Sequence, residues 1–195
     1  MNTIIYDIEI AKVPSPNSYC EKGIKYCSGW SDHARMGISI IGCYDYQQDR
    51  YRAFCDDNKS EFMVLLDRGP MCVGFNNIPF DNAVIAATDG WMAPNDAVCY
   101  DLLREIWIAS GLEPEFNRKT HGGVGLDAVC ERNFGTKKSG NGALAPVDWQ
   151  RGNYGTVIDY CLNDVRLTKQ LFDLVLSGKP VINPKTGAEL MLRKP

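Results

Sequence analysis

The feature that most restricts the fold is the run at residues 3–10, TIIYDIEI. Isoleucine fills positions 4, 5, 8 and 10, and this β-branched, apolar composition reads as a central strand of a sheet. Asp7 and Glu9 stand two apart inside it, so the alternation of side chains along a strand puts both carboxylates on one side. Two anions side by side are costly. The strand holds no Lys or Arg, so the pair calls for a basic partner from elsewhere or a divalent cation with hard oxygen ligands. Taken alone, the same pattern also describes a solvated strand end.

The rest of the chain is organised around that strand. Residues 11–35, with two prolines and two glycines, read as a long loop, and residues 37–46 and 51–55 as two strands joined by the polar turn 47–50. Together with the first strand they suit an antiparallel meander. The period then changes: residues 59–66 read as a helix, 71–75 as a buried strand, 80–88 as a helix and 97–100 as a fifth strand. Residues 102–110 and 126–133 are helical, with Gly111 and Gly135 as stops, and residues 154–176 form a long amphipathic helix. Beyond Gly178, VINPKTGAELML reads as a small hairpin. The expected organisation is one α/β unit over residues 1–178 and a hairpin or tail over 179–195.

At 195 residues and 45% hydrophobic content, the chain is long enough for one substantial core. No basic-then-apolar leader and no run of eighteen apolar residues is present, so a soluble, unprocessed, cytoplasmic protein without a membrane partner is expected. Its eight cysteines are scattered with no C-x2-C pair, which points to reduced, mostly core thiols. Cys20, Cys27 and His33 lack the two close pairs of a structural zinc site, and His33 and His121 both read as loop residues. A net charge of −3 lacks the basic footprint of a nonspecific duplex binder. A site built of carboxylates can nevertheless recruit phosphate through bound cations.

Two further segments carry chemistry. Asn76, Asn77, Ile78, Pro79, Phe80 and Asp81 follow an apolar strand and open a helix near Pro79, where proline suits the first turn. Asp81 there either complements the helix dipole or lies at a site of the kind found where strands end beside helix starts. In the long C-terminal helix, Tyr160 and Asp164 are four apart and share a face. Of the nine tyrosines, this is the only one followed by aspartate at that spacing. The alternative is a Tyr160 packed in the core and an Asp164 paired on the surface.

In this order, Asp7-x-Glu9, Asn76-x3-Phe80-Asp81 and Tyr160-x3-Asp164 resemble the three motifs of the DEDD exonuclease superfamily, in its tyrosine subclass, which includes the proofreading domains of family B DNA polymerases. The segments Tyr100-Asp101-Leu102-Leu103 and Gly125-Leu126-Asp127-Ala128-Val129 through Phe134-Gly135-x-Lys137 are also similar to segments between the second and third motifs. The order of three strands followed by α-β-α-β-α likewise resembles the ribonuclease H-like fold, a mixed five-stranded sheet flanked by helices. One departure is Ile10, where many relatives carry a threonine that helps hold the terminal nucleotide, so any polar contact there must come from backbone.

The resemblance implies a 3′→5′ exonuclease with two divalent cations, Mg²⁺ or Mn²⁺. Asp7 would bridge them, Glu9 and Asp164 would complete the shell of the first cation, and Asp81 would hold the second through water. Tyr160 would orient the attacking water. Ile10, Asn76, Phe80 and Lys137 are the candidate substrate contacts, and Trp30, Phe75 and Trp149 are further aromatic side chains on which bases could stack. The expected partner is the 3′ end of single-stranded nucleic acid, DNA ahead of RNA, with a polymerase or other replication or repair protein acting in trans. Two rivals stand beside this reading: an exoribonuclease of the same fold, and a catalytically silent nucleic-acid-binding module.

Overall fold

The computed structural model describes residues 1–15, 20–88, 90–136 and 142–195. In chain order the strands are β1 (Thr3–Ile10), β2 (Val13–Pro14), β3 (Tyr26–Cys27), β4 (Ile38–Asp45), β5 (Arg50–Phe54), β6 (Met71–Gly74), β7 (Cys99–Asp101), β8 (Val181–Ile182) and β9 (Glu189–Leu190). The α-helices are α1 (His33–Met36), α2 (Ser60–Leu66), α3 (Asn82–Ala86), α4 (Leu102–Ala109), α5 (Leu126–Phe134), α6 (Ala145–Gln150) and α7 (Tyr154–Leu176).

β1 is the middle of a five-stranded sheet of order β5-β4-β1-β6-β7. It runs antiparallel to β4, which is antiparallel to β5, while β6 and β7 run parallel to it and to each other. The architecture is therefore α/β with a mixed sheet flanked by helices, as the sequence led us to expect. The alternation along β1 separates two cores. Ile5 joins the core of α4, α5 and α7, with Val165, Leu171 and Phe172, while Ile4, Tyr6, Ile8 and Ile10 join Met36, Phe62 and Val84 on the opposite face. Each fully buried aliphatic side chain of this kind contributes about 1.5–3 kcal/mol. Asp7 and Glu9 continue the face of Ile5, toward α7.

α7 lies across β1 and β4. Its close approach is set by Gly42, the register partner of Asp7: a Cβ at residue 42 would stand 2.8 Å from Cys161 Sγ and 3.1 Å from Val165 Cγ2. The residue facing Asp7 across the β1–β4 ladder therefore has no side chain, while Glu9 faces Ile40.

Several elements depart from the expected pattern. The helix expected at residues 80–88 begins instead as a π turn at Asn77–Asp81 and becomes α3 only at Asn82. Asn76 enters that turn in the left-handed region, with φ 69°, and Gly74 leaves room for it, since a Cβ there would lie 2.5 Å from Asn77 Cβ. The strand expected at 97–100 is displaced. Residues Asp96–Val98 form a 3-10 turn capped by Asn95 Oδ1, which accepts the Ala97 N–H at 2.9 Å, and β7 starts at Cys99. The supposed loop 11–35 contains the parallel pair β2–β3 and the start of α1. Its base is tied to α6, where Gln150 Nε2 donates to Ala11 O at 3.0 Å and Gln150 Oε1 accepts the Lys25 N–H at 2.6 Å.

The C-terminal hairpin pairs β8 with β9 in antiparallel fashion. Val181, Leu190 and Leu192 are buried in the same core as α7, and Tyr100 Oη donates to Arg193 O at 2.6 Å. No helix is long and apolar enough to cross a membrane among the described residues.

Candidate functional site

The C-terminal half of β1 and the middle of α7 face each other across one wall of a cleft of about 600 Å³. Asp7, Glu9, Ile10, Phe80, Tyr160 and Asp164 line it. Two carboxylates two apart on a strand and a Tyr-x3-Asp pair one turn apart on a helix thus meet at one place. Glu9, Tyr160 and Asp164 are buried and Asp7 is half-buried.

Cys161 joins them. One ligand atom from each of Asp7, Glu9 and Cys161 lies within 4.8 Å of the others. The Cys161 thiol sits 3.5 Å from the Asp7 carbonyl oxygen and 3.6 Å from Asp7 Oδ2. Burial first, then the negative charge of Asp7 and Glu9, raises the thiol's pKa well above its ordinary value. The thiol lies within donating distance of Asp7, and the hard oxygen donors for a cation here are the carboxylates.

Asp81 lines neither this cleft nor the one beside it that Asp7 and Asp164 also border. It is buried behind β1, where Oδ1 accepts the Ile8 N–H at 3.0 Å. β6 pairs with β1 only as far as Ile5, so this carboxylate takes a backbone donor that the neighbouring strand no longer reaches. Burial, reinforced by the charge of Asp101, pushes Asp81 up to about 7 against the pull of the Ile8 N–H. Asp101 in turn accepts the N–H groups of Asn76 at 2.9 Å and Ile78 at 3.2 Å, clamping the π turn that carries Asp81. The same carboxylate caps α4 through the N–H of Leu103.

A second cleft of about 640 Å³ opens on the other side of Phe80 and is largely aromatic. Of the stacking candidates, Trp30, Phe75 and Phe80 line it, as does Asn76, whereas Trp149 does not. Trp149 packs on Tyr154 at 4.6 Å between ring centroids, in the small core between α6 and α7. Lys137 lies outside the described residues, and so does Lys138.

His33 departs from the loop expected for it: it opens α1 and sets its ring edge-on to Phe80, 6.0 Å away. His121 is a loop residue as expected, but a buried one, with Nε2 2.9 Å from Glu113 O and Nδ1 2.7 Å from Thr120 Oγ1. Both line the aromatic cleft. Sequence reasoning also missed Asp127 and Gly142, which line the carboxylate cleft. A Cβ on Gly142 would come within 3.0 Å of the Tyr160 hydroxyl, so a glycine there leaves that hydroxyl its room. Asp127 had one local signal, an acid in the first turn of a helix that starts directly after Gly125.

No protein-family model matches the chain, and a comparison with curated proteins finds no match to it.

Proposed function

We propose that this protein is a metal-dependent 3′→5′ exonuclease of ribonuclease H-like fold, related to the tyrosine subclass of the DEDD superfamily, acting on single-stranded nucleic acid and on DNA in preference to RNA. The observation that carries the reading is the meeting of Asp7, Glu9, Tyr160 and Asp164 in one cleft, from two elements more than 140 residues apart in sequence. The three carboxylates that share the cleft, with Asp81 behind β1, fit hard divalent cations. Asp7, Glu9 and Asp164 would hold one; Asp81, whose Oδ1 is engaged by Ile8, would serve the second through water. Bound there, Mg²⁺ or Mn²⁺ supplies Lewis acidity toward the phosphate and offsets the charge of the acids.

The chain's own groups have separate tasks. The Tyr160 hydroxyl, given space by Gly142, would donate to or accept from the attacking water and fix its direction. Cys161 would hold the Asp7 carboxylate in place by donating its thiol proton. The backbone at Ile10 would contact the terminal nucleotide, and Phe80 would offer a ring to a base. Expected residence is the cytoplasm, with any polymerase partner supplied in trans.

The test is the product pattern from a 5′-labelled single strand incubated with Mg²⁺ or Mn²⁺, run in parallel as DNA and RNA. A ladder of successively shorter labelled products, faster on DNA, is expected. Release of the label as a mononucleotide, internal scission or an uncut strand would overturn the assignment.

A further inference from the structure

Four residues line both clefts: Asp7 and Asp164, the acids of the proposed centre, and Trp30 and Phe80, an aromatic pair with ring centroids 6.0 Å apart. Trp30 is 59% exposed and packs against Phe80, so much of the indole is open to a ligand. It is also held in position. Its turn is closed by Asp32, which accepts the Ser28 N–H at 2.7 Å and whose own N–H donates to Gly29 O at 3.1 Å, and the preceding strand β3 is anchored by the buried Cys27. The segment at 11–35, tied to α6 by Gln150, thus carries an exposed indole to the border between an acidic cleft and an aromatic one.

We infer that Trp30 is a base-stacking residue, which receives a nucleobase near the 3′ end of a single strand whose backbone passes from the aromatic cleft to the carboxylates. The inference rests on the nuclease reading and adds to it a residue outside the three motifs. Three observations favour nucleic acid as the occupant. The aromatic cleft is continuous with Asp7 and Asp164, where a phosphodiester would be bound through cations. Two groups of packed rings line it, Trp30 and His33 with Phe80, and Phe116 and His121 with Trp107, and stacking accepts any base. Its volume of about 640 Å³ suits a ligand larger than one base. Phe80 packs against the indole with its ring tilted by 53°, and Trp30 keeps over half of its surface open.

The experiment compares two substrates. Thymidine 5′-(p-nitrophenyl phosphate) offers a phosphodiester at the acids but no preceding base, whereas a single-stranded oligothymidylate offers both. Trp30→Ala should lower kcat/KM on the oligonucleotide by about tenfold or more, mainly through KM. Hydrolysis of the small diester should fall several-fold less than that of the oligonucleotide, and Trp30→Phe should restore most of the loss. An oligonucleotide carrying abasic residues at its last two positions should be cut equally by wild type and Trp30→Ala. Equal activity of Trp30→Ala and wild type on the ordinary strand would overturn the inference. If wild type hydrolyses neither substrate, the nuclease reading falls and the stacking claim is judged by oligothymidylate affinity alone: weaker binding by Trp30→Ala upholds it, and unchanged binding overturns it.

Discussion

Asp7 and Gly42 are register partners across the β1–β4 ladder, and the missing side chain at Gly42 is what lets α7 bring Cys161 within 3.6 Å of the Asp7 carboxylate. Position 42 is not a metal ligand in any reading, yet it sets the distance between the two halves of the site. Gly42→Ala is expected to cost about 1–3 kcal/mol in urea unfolding, the usual range for overpacking a filled core. Activity should fall further than stability predicts, because the strain acts on the separation of Asp7 from Tyr160 and Asp164. Adding Cys161→Ala removes the nearest clashing atom, at 2.8 Å, and should recover part of both losses. A Gly42→Ala protein with wild-type activity would show that helix and strand do not need this approach.

Tyr160→Phe separates positioning of water from binding of substrate. Without the hydroxyl, kcat should fall about a hundredfold while KM stays near wild type, since a misdirected reacting group costs rate more than affinity. Steady-state kinetics on a single-stranded substrate checks the split. A raised KM with unchanged kcat would instead make Tyr160 a binding residue.

Asp101 gives a prediction in pH. Burial raises its pKa above the ordinary carboxylate range, against the four backbone N–H groups of Asn76, Ile78, Leu103 and Arg104 that lower it. A carboxyl whose folded pKa exceeds its unfolded one binds its proton more tightly when folded. Its contribution to stability is complete below the unfolded pKa near about 4 and is lost as pH rises through the higher folded value. Urea unfolding of wild type should therefore show stability falling as pH climbs out of that range. Asp101→Asn should flatten part of that slope, leaving the part due to Asp81, and should cost about 1–3 kcal/mol for weakened capping of the π turn. An unchanged slope would contradict the assignment to Asp101.

The hairpin at residues 179–195 is expected to be integral to stability. Removing it would uncover the core faces that Val181, Leu190 and Leu192 now fill and free Glu105 from its 2.8 Å contact with Arg193. A loss of at least about 3 kcal/mol should appear in urea unfolding, on the scale of burying two or three apolar side chains. A truncated chain as stable as the whole one would make the hairpin an appendage.

How legible this was in the sequence follows from the range of the forces involved. β1 and α7 were readable to the residue, because an unbroken β-branched run and a 3.6-residue pattern over 23 residues are local signals. The facing of Asp7 with Glu9, and of Tyr160 with Asp164, follows from the same periodicities. The π turn at Asn77–Asp81 was not readable, since it depends on the Asp101 carboxylate and on the space left by Gly74. The two-residue strands β2 and β3 fall below any periodic signal, and their pairing rests on Gln150, some 125 residues away. The place of Cys161 beside Asp7 was hidden for the same reason. Adjacency to Tyr160 in sequence says nothing of contact with a strand 154 residues earlier.

The central claim is that Asp7, Glu9, Asp81 and Asp164 together hold divalent cations, and Mn²⁺ binding to the whole chain, counted by electron paramagnetic resonance, tests it most directly. The account predicts saturation at two ions per chain, with loss of at least one in Asp7→Asn and in Asp164→Asn while far-ultraviolet circular dichroism stays that of wild type. A chain that takes up no Mn²⁺, or an Asp7→Asn variant that binds as many ions as tightly as wild type, would contradict it.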